Sequence, residues 1–309
     1  EGAILESGEA MSEHCDFSVK FWGVRGSISI SDPNSVRYGG NTSCLEIRCG
    51  KRLLIFDAGS GLRYLGNELV GCGEAVDADL FLTHTHYDHI CGIPFFKPFF
   101  NPENQFRLRA GHLLPEKNLR GVLSDLMTSP LFPVPLEVFQ SKIEFLDFVV
   151  GDALHTGSDV VVRTAPLNHP DGATGYRIEF GGQSICYLTD TEHVAGELDQ
   201  TILQLIDGAD MVIYDSTFTE EEYANCVGWG HSTWQAGADL CDAAGVPRFV
   251  IFHHDPDHDD DFMDGIAEAA EKRRPGTLVA QEGMVLRPGK PVWQDLDIPV
   301  SQARTVPAG

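Results

Sequence analysis

The chain has 309 residues and 22 Lys plus Arg against 46 Asp plus Glu, for a formal net charge of −24. Hydrophobic content of 42% and charged content of 22% exclude general disorder, and at this length roughly three-quarters of the unfolded surface can be buried. Gripping a long polyanion takes clustered cations, and the largest cluster, Lys272-Arg273-Arg274, reads as a helix end, so a long nucleic acid is excluded as a partner.

Eight scattered cysteines without a C-x-x-C pair suit reduced thiols in the cytoplasm. No apolar stretch approaches the roughly 18 residues that a membrane span needs, and no basic start leads into an apolar core, so neither membrane nor export is expected. Met11 followed by Ser12-Glu13-His14 reads as a natural start, so residues 1–14 are set apart as an extension outside the fold.

Short β-rich runs are predicted at 17–22, 44–48, 52–56 and 79–84, punctuated by Gly and Asn. After the Gly59-Ser60-Gly61 turn, Leu62, Leu65 and Leu69 share one helical face. Residues 94–139 change character, with Pro94-Phe95-Phe96-Lys97-Pro98-Phe99-Phe100 and later Pro130-Leu131-Phe132-Pro133-Val134-Pro135. The prolines are expected to bar a regular element there. Such an insertion is either a satellite core under a long loop or a surface for a second copy, and a homodimer is expected. Further strands are predicted at 159–166, 176–180, 184–189, 211–214 and 248–252, with helices at 198–206, 232–244 and 261–274. Ser232 and Gln235 fit a capping box, and Gly245 suits that helix's exit. Residues 290–309 read as an irregular tail. The pattern implies two β-rich halves with helices outside the sheets.

The strongest chemical signal is His84-Thr85-His86-Tyr87-Asp88-His89, directly after the apolar run Leu80-Phe81-Leu82-Thr83. A lone histidine is usually structural, whereas three with an aspartate at one strand end suit Zn²⁺ or Mn²⁺ and can face two ions. Later strand ends must supply the remaining ligands, and His169, Asp190 and His253 each follow an apolar run. An aspartate suits the place between two cations, because each oxygen can bind one. His231, in Gly228-Trp229-Gly230-His231-Ser232-Thr233 before a helix start, can hold a phosphate oxygen or protonate a leaving group. The run of His254, Asp255, Asp257, His258 and Asp259 to Asp261 reads as a solvated acidic helix cap rather than a third metal site.

These residues resemble the metallo-β-lactamase superfamily, whose H-x-H-x-D-H motif is matched by His84, His86, Asp88 and His89. The resemblance implies an α/β fold of four layers, αββα, with two mixed β-sheets flanked by helices, over one domain at 15–289. It implies two divalent ions, Zn²⁺ or else Mn²⁺, one on His84, His86 and His169, the other on Asp88, His89 and His253, with Asp190 bridging. His253 is taken over His254 by register. Leu54-Ile55-Phe56-Asp57-Ala58-Gly59 is similar to the strand whose aspartate braces the metal loop, which assigns that task to Asp57.

Gly230-His231-Ser232-Thr233 is similar to the histidine motif with which ribonuclease Z and its relatives handle phosphate, which points to the phosphodiesterase branch. The opening Phe21-Trp22-Gly23-Val24-Arg25-Gly26-Ser27 and Tyr38-Gly39-Gly40-Asn41-Thr42-Ser43 are similar to members that cleave cyclic nucleotides, including the anti-Pycsar group. No long Gly- and Lys-rich arm of the ribonuclease Z kind is present. The expected enzyme is a dinuclear phosphodiesterase for a small substrate such as a 3′,5′-cyclic nucleotide, with hydroxide attacking phosphorus, Asp88 orienting it and His231 serving the leaving oxygen. The alternatives are a ribonuclease Z-like tRNA 3′ endonuclease, a thioester or lactam hydrolase of the same fold, and a metal-binding module without turnover.

Overall fold

The computed structural model describes residues 17–289. The first sheet is built from β1 (Phe17–Gly23), β2 (Cys44–Cys49), β3 (Arg52–Phe56), β4 (Asp77–Leu82), β5 (Gln105–Ala110) and β6 (Lys142–Asp147) in that spatial order. The second holds β7 (Ala153–His155), β8 (Val161–Leu167), β9 (Ala173–Phe180), β10 (Gln183–Leu188), β11 (Met211–Asp215), β12 (Arg248–Phe252) and β13 (Leu278–Val279). A last short strand, β14 (Val285–Leu286), returns to the first sheet and pairs with β1. Each sheet is mixed: β1 to β3 are antiparallel and β3 to β6 parallel, while β7 to β10 are antiparallel and β10 to β13 parallel.

The continuous apolar runs of the strands explain why helices cover the outer faces. In β3, Leu54 and Phe56 point between the sheets while Leu53 and Ile55 point outward, and in β10 Ile185 and Tyr187 point in while Cys186 and Leu188 point out. Both faces are buried, so neither sheet can be left bare to water. Helices α1 (Leu62–Cys72), α2 (Tyr87–Ile90) and α3 (Leu119–Leu126) flank the first sheet's half of the chain. Helices α4 (Gln200–Ile206), α5 (Glu220–Cys226), α6 (Trp234–Ala243) and α7 (Asp260–Arg273) follow in the second half. This is the four-layer αββα arrangement expected.

Residues 94–139 differ from expectation. Proline-free windows within them form β5 and α3, and β5 pairs in parallel with β4, Leu80 opposite Leu108. Proline bars only the positions it occupies and the helical residue before it, so seven prolines in clusters leave room between them. Phe96, Phe99 and Phe106 are fully buried with Leu62 and Leu65 of α1 in the outer core of the first sheet.

The capping box also moved. Thr233, not Ser232, caps α6 by accepting the N–H of Ala236 at 3.2 Å, because the Ser232 hydroxyl is engaged by His193 Nδ1 at 2.8 Å and Tyr214 OH at 3.0 Å. A complete capping box stands instead at Thr219 and Glu222 on α5. Asp259 caps α7 as expected, but Asp260, His254 and His258 beside it are buried rather than solvated. Among the described residues no helix is long and apolar enough to cross a membrane. The calls on residues 1–14 and 290–309 fall outside the described residues.

The metal-loop motif docks on this frame through glycines. The N–H of Gly92, just past the motif, donates to Ala58 at 2.9 Å, and a Cβ at Gly92 would collide with the Gly59 carbonyl oxygen. Gly92→Ala must therefore separate two backbones that nothing flexible can relieve. The expected cost is at least about 1–3 kcal/mol, read as a lower midpoint in urea unfolding with an unchanged slope.

Candidate metal centre

The C-terminal ends of β3, β4, β8, β10, β11 and β12 face the same edge of the molecule, where open α/β sheets place their ligands. Asp57 follows β3, His84 to His89 follow β4, His169 follows β8, Asp190 follows β10, and His253 follows β12. Asp57, Asp190 and His253 have φ of 59°, 59° and 63°. This left-handed conformation, costly for residues other than glycine, turns each side chain inward directly after its strand.

All seven residues expected to ligate converge. His84, His86 and His169 offer one group of donors, and Asp88, His89, Asp190 and His253 another. The Asp190 carboxylate divides itself between them. Its Oδ1 lies 3.7 Å from His84 Nε2 and 3.8 Å from His169 Nε2, while its Oδ2 lies 3.2 Å from His89 Nε2 and 3.3 Å from His253 Nε2. Asp88 Oδ2 stands 3.2 Å from His89 Nε2 and also accepts the N–H of Ser27 at 2.8 Å. His254 points away, donating from Nε2 to the Ala280 carbonyl at 2.9 Å.

The outer nitrogens explain why the inner ones face the centre. His84 Nδ1 meets Thr83 Oγ1 at 3.1 Å, and that hydroxyl donates to Asp57 at 3.0 Å. His253 Nδ1 meets Thr217 Oγ1 at 3.0 Å, and that hydroxyl donates to Asp215 at 2.7 Å. His89 Nδ1 lies 2.9 Å from Asp57, and His169 Nδ1 donates to the Gly230 carbonyl at 2.8 Å. Each ring is held from behind, which fixes its orientation and raises its basicity toward a cation.

Whether the residues fit divalent cations can be tested on the buried nitrogens. The Nε2 atoms of His84, His89 and His253 are buried without a hydrogen-bond partner, although buried polar atoms are normally satisfied. Imidazole nitrogens and carboxylate oxygens within 4.8 Å of one another are the donor set that divalent ions accept. The residues therefore fit. The electrostatics agree: burial disfavours charge on His89, yet Asp190, Asp88 and Asp57 raise its pKa well above the usual histidine value. Burial likewise opposes ionisation of Asp190, and the surrounding His253, His89 and His84 reverse this and hold its pKa far down. Burial instead holds His84 and His169 below the usual histidine value, which keeps these two rings neutral donors.

His231 stands at the rim of the cluster, with its donor within 4.8 Å of those of His169 and Asp190 and of those of Asp215 and His253. Its Nδ1 lies 2.9 Å from Asp215 Oδ2, and its ring stacks at 5.0 Å on that of His253. Burial alone would lower its pKa, but the Asp215 carboxylate raises it to about 9. Asp215, Thr83 and Thr217 were missed in the sequence. The available signal for Asp215 was its place at the end of β11, equivalent to those of Asp190 and His253 on the neighbouring strands. Tyr187, whose hydroxyl donates to Asp57 at 2.8 Å across the gap between the sheets, lies in the run predicted only as a strand at 184–189.

If Asp57 orients both His89 and, through Thr83, His84, then Asp57→Asn, which keeps the shape and loses the charge, should weaken metal binding roughly 10- to 100-fold in a chelator competition. A matched fold by circular dichroism would separate this from unfolding.

Comparison with known proteins agrees with this geometry. Residues 52–254 match the model of the beta-lactamase superfamily domain. A protein named ribonuclease Z from Haloarcula marismortui is 24% identical, over 87% of this chain and 96% of its own. Human tRNase Z, short form, superposes with a TM-score of 0.61 at 20% identity, covering 88% of this chain and 100% of that one. A diphosphatase from the PhnP family gives a TM-score of 0.65 at 18% identity, covering 88% and 97%.

The relatives' names correct one expectation. Net charge had excluded a long nucleic acid, and that exclusion falls, because relatives spanning nearly the whole chain are named for action on RNA. The physical fault lay in requiring clustered Lys and Arg on an acidic chain, when a phosphate responds to the local potential, which cations held at such a site would dominate. From the matched residues and the strand-end cluster together, the chain belongs to the beta-lactamase superfamily.

Proposed function

We propose that this enzyme hydrolyses phosphodiesters with the help of two divalent ions, zinc in preference to manganese because five of the seven donors are imidazoles. The observation that carries the reading is the divided Asp190 carboxylate, one oxygen toward each set of histidines, with the His231–Asp215 pair beside it. His84, His86 and His169 would hold one ion, and Asp88, His89 and His253 the other, with Asp190 between. Such ions supply Lewis acidity toward phosphoryl oxygens and an activated water.

The chain's own residues do the rest. Asp88, fixed by the Ser27 N–H, orients the attacking water. His231, its Nδ1 turned to Asp215, presents Nε2 to the leaving oxygen and hands it a proton. A thioester or lactam would give the His231–Asp215 pair no such task. The free, buried thiols of Cys44, Cys186 and Cys241 support a reducing, cytoplasmic setting.

The relatives' names favour a phosphodiester in RNA, such as a tRNA precursor. A small cyclic phosphodiester such as a 3′,5′-cyclic nucleotide is a second reading. It is favoured by the 21–27 segment, because Gly26 lies against the His253 ring so closely that a Cβ would strike it. Turns similar to those of cyclic-nucleotide enzymes thus border the cluster itself.

Three outcomes check this. Metal-loaded protein should cleave at least one of a tRNA precursor, a cyclic mononucleotide or a cyclic dinucleotide, and the preferred one decides between the two substrates. Stripping metal with a chelator should abolish turnover, and undiminished activity would remove the metal reading. His231→Ala should lower kcat on the order of 10²- to 10⁴-fold while the bound metal, measured by plasma spectrometry, stays the same.

A further inference from the structure

Beside His231 opens a cavity of about 390 Å³ lined by Ser27, Thr217, Phe218, Trp229, His231 and Asp257, among others. Phe218 stands edge-on both to the His231 ring, at a centroid distance of 6.0 Å, and to the Trp229 indole, at 6.5 Å, and that indole is 65% exposed. A side chain this large and apolar is costly to hold in water.

The loop that presents it is nevertheless tightly tied. The Glu192 carboxylate accepts the N–H of Gly228 and the N–H of Gly230, each at 2.7 Å, and so grips the backbone on both sides of Trp229. Gly228 and Gly230 adopt φ of 92° and 87°, a conformation that favours glycine. A Cβ at Gly230 would also strike His169 and Pro170. The Gly230 carbonyl in turn accepts from His169, so the loop is registered against a metal ligand. Glu192 itself lies two residues past Asp190. An exposed indole on a backbone fixed from both sides is a preorganised surface rather than a loose one.

We propose that Trp229 is the stacking platform for the nucleobase of the substrate, a specificity-determining residue that Glu192 positions. This rests on the phosphodiesterase reading and narrows it to phosphodiesters that carry a base. The polarity of the cavity sets the orientation. Asp255 and Asp257 line it too, and their carboxylates repel phosphate but accept hydrogen bonds from ribose hydroxyls and base N–H groups. The phosphate is then placed at His231, whose ring stacks on that of His253, and the base on the exposed ring of Trp229 in the same cavity. Stacking is indifferent to base identity, because every base has a π-face.

The test compares two chromogenic diesters, the 4-nitrophenyl ester of thymidine 5′-phosphate, which has a base, and 4-nitrophenyl ethyl phosphate, which has none. For Trp229→Ala the ratio of kcat/KM, nucleotide ester over ethyl ester, should fall roughly ten-fold, mainly through KM of the nucleotide ester. Trp229→Phe should restore most of it. An unchanged ratio, whether both rates fall together or neither does, overturns the proposal and assigns Trp229 to the loop's structure or to a protein partner. Should the unaltered protein cleave neither ester, the phosphodiesterase reading itself is in question. The platform is then judged by quenching of indole fluorescence on adding AMP: quenching lost in Trp229→Phe supports it, and quenching that persists or never occurs overturns it.

Discussion

Two aspartates outside the proposed ligand sets, Asp57 and Asp215, anchor the geometry of the whole centre. Both are fully buried, where a carboxylate without partners costs several kcal/mol. Each is satisfied by a similar set that includes a threonine hydroxyl, a backbone N–H and a histidine ring: Thr83 and His89 for Asp57, Thr217 and His231 for Asp215. The threonines then hold His84 and His253. Four imidazoles are thus aimed by two buried negative charges, one in each sheet. The Tyr187 hydroxyl, reaching from the second sheet to Asp57 of the first, ties the halves together at the same depth.

Much of this was legible in the residues because its physical causes are local. Short β-rich runs marked β1, β2, β3, β10, β11 and β12 to within a residue or two, and the H-x-H-x-D-H spacing marked the loop after β4. His169, Asp190 and His253 were found because each follows an apolar run. The failures share a cause as well. Ser232 lost the cap of α6 to partners on distant segments, His193 and Tyr214. β5 was hidden by its flanking prolines and became a strand through pairing with β4 and β6. Asp215, Thr83 and Thr217 carry no pattern, since a threonine after a strand is common and its task is defined only by what lies across the sheet.

The acidic composition misled for a related reason. Part of the negative charge sits on helix caps and surface ion pairs, such as Asp259 and Asp261 at the start of α7, or Asp239 and Asp242 with Arg273. These charges act on solvent more than on the centre, where salt screens distant groups within roughly 8–10 Å. The site itself mixes imidazoles with the carboxylates of Asp88 and Asp190, and cations bound there would set its potential.

The return of β14 to the first sheet bears on biosynthesis. Glu282, just ahead of it, accepts two hydrogen bonds from Asn41, in the turn that leads to β2, and β14 closes the open edge of β1. A nascent chain leaving the ribosome therefore carries an incomplete first sheet until nearly all the described residues have emerged, and His253 on its own strand arrives almost as late. Partial chains that end before β14 leave the β1 edge of the first sheet without this strand, and an unpaired edge is a template for pairing with another chain.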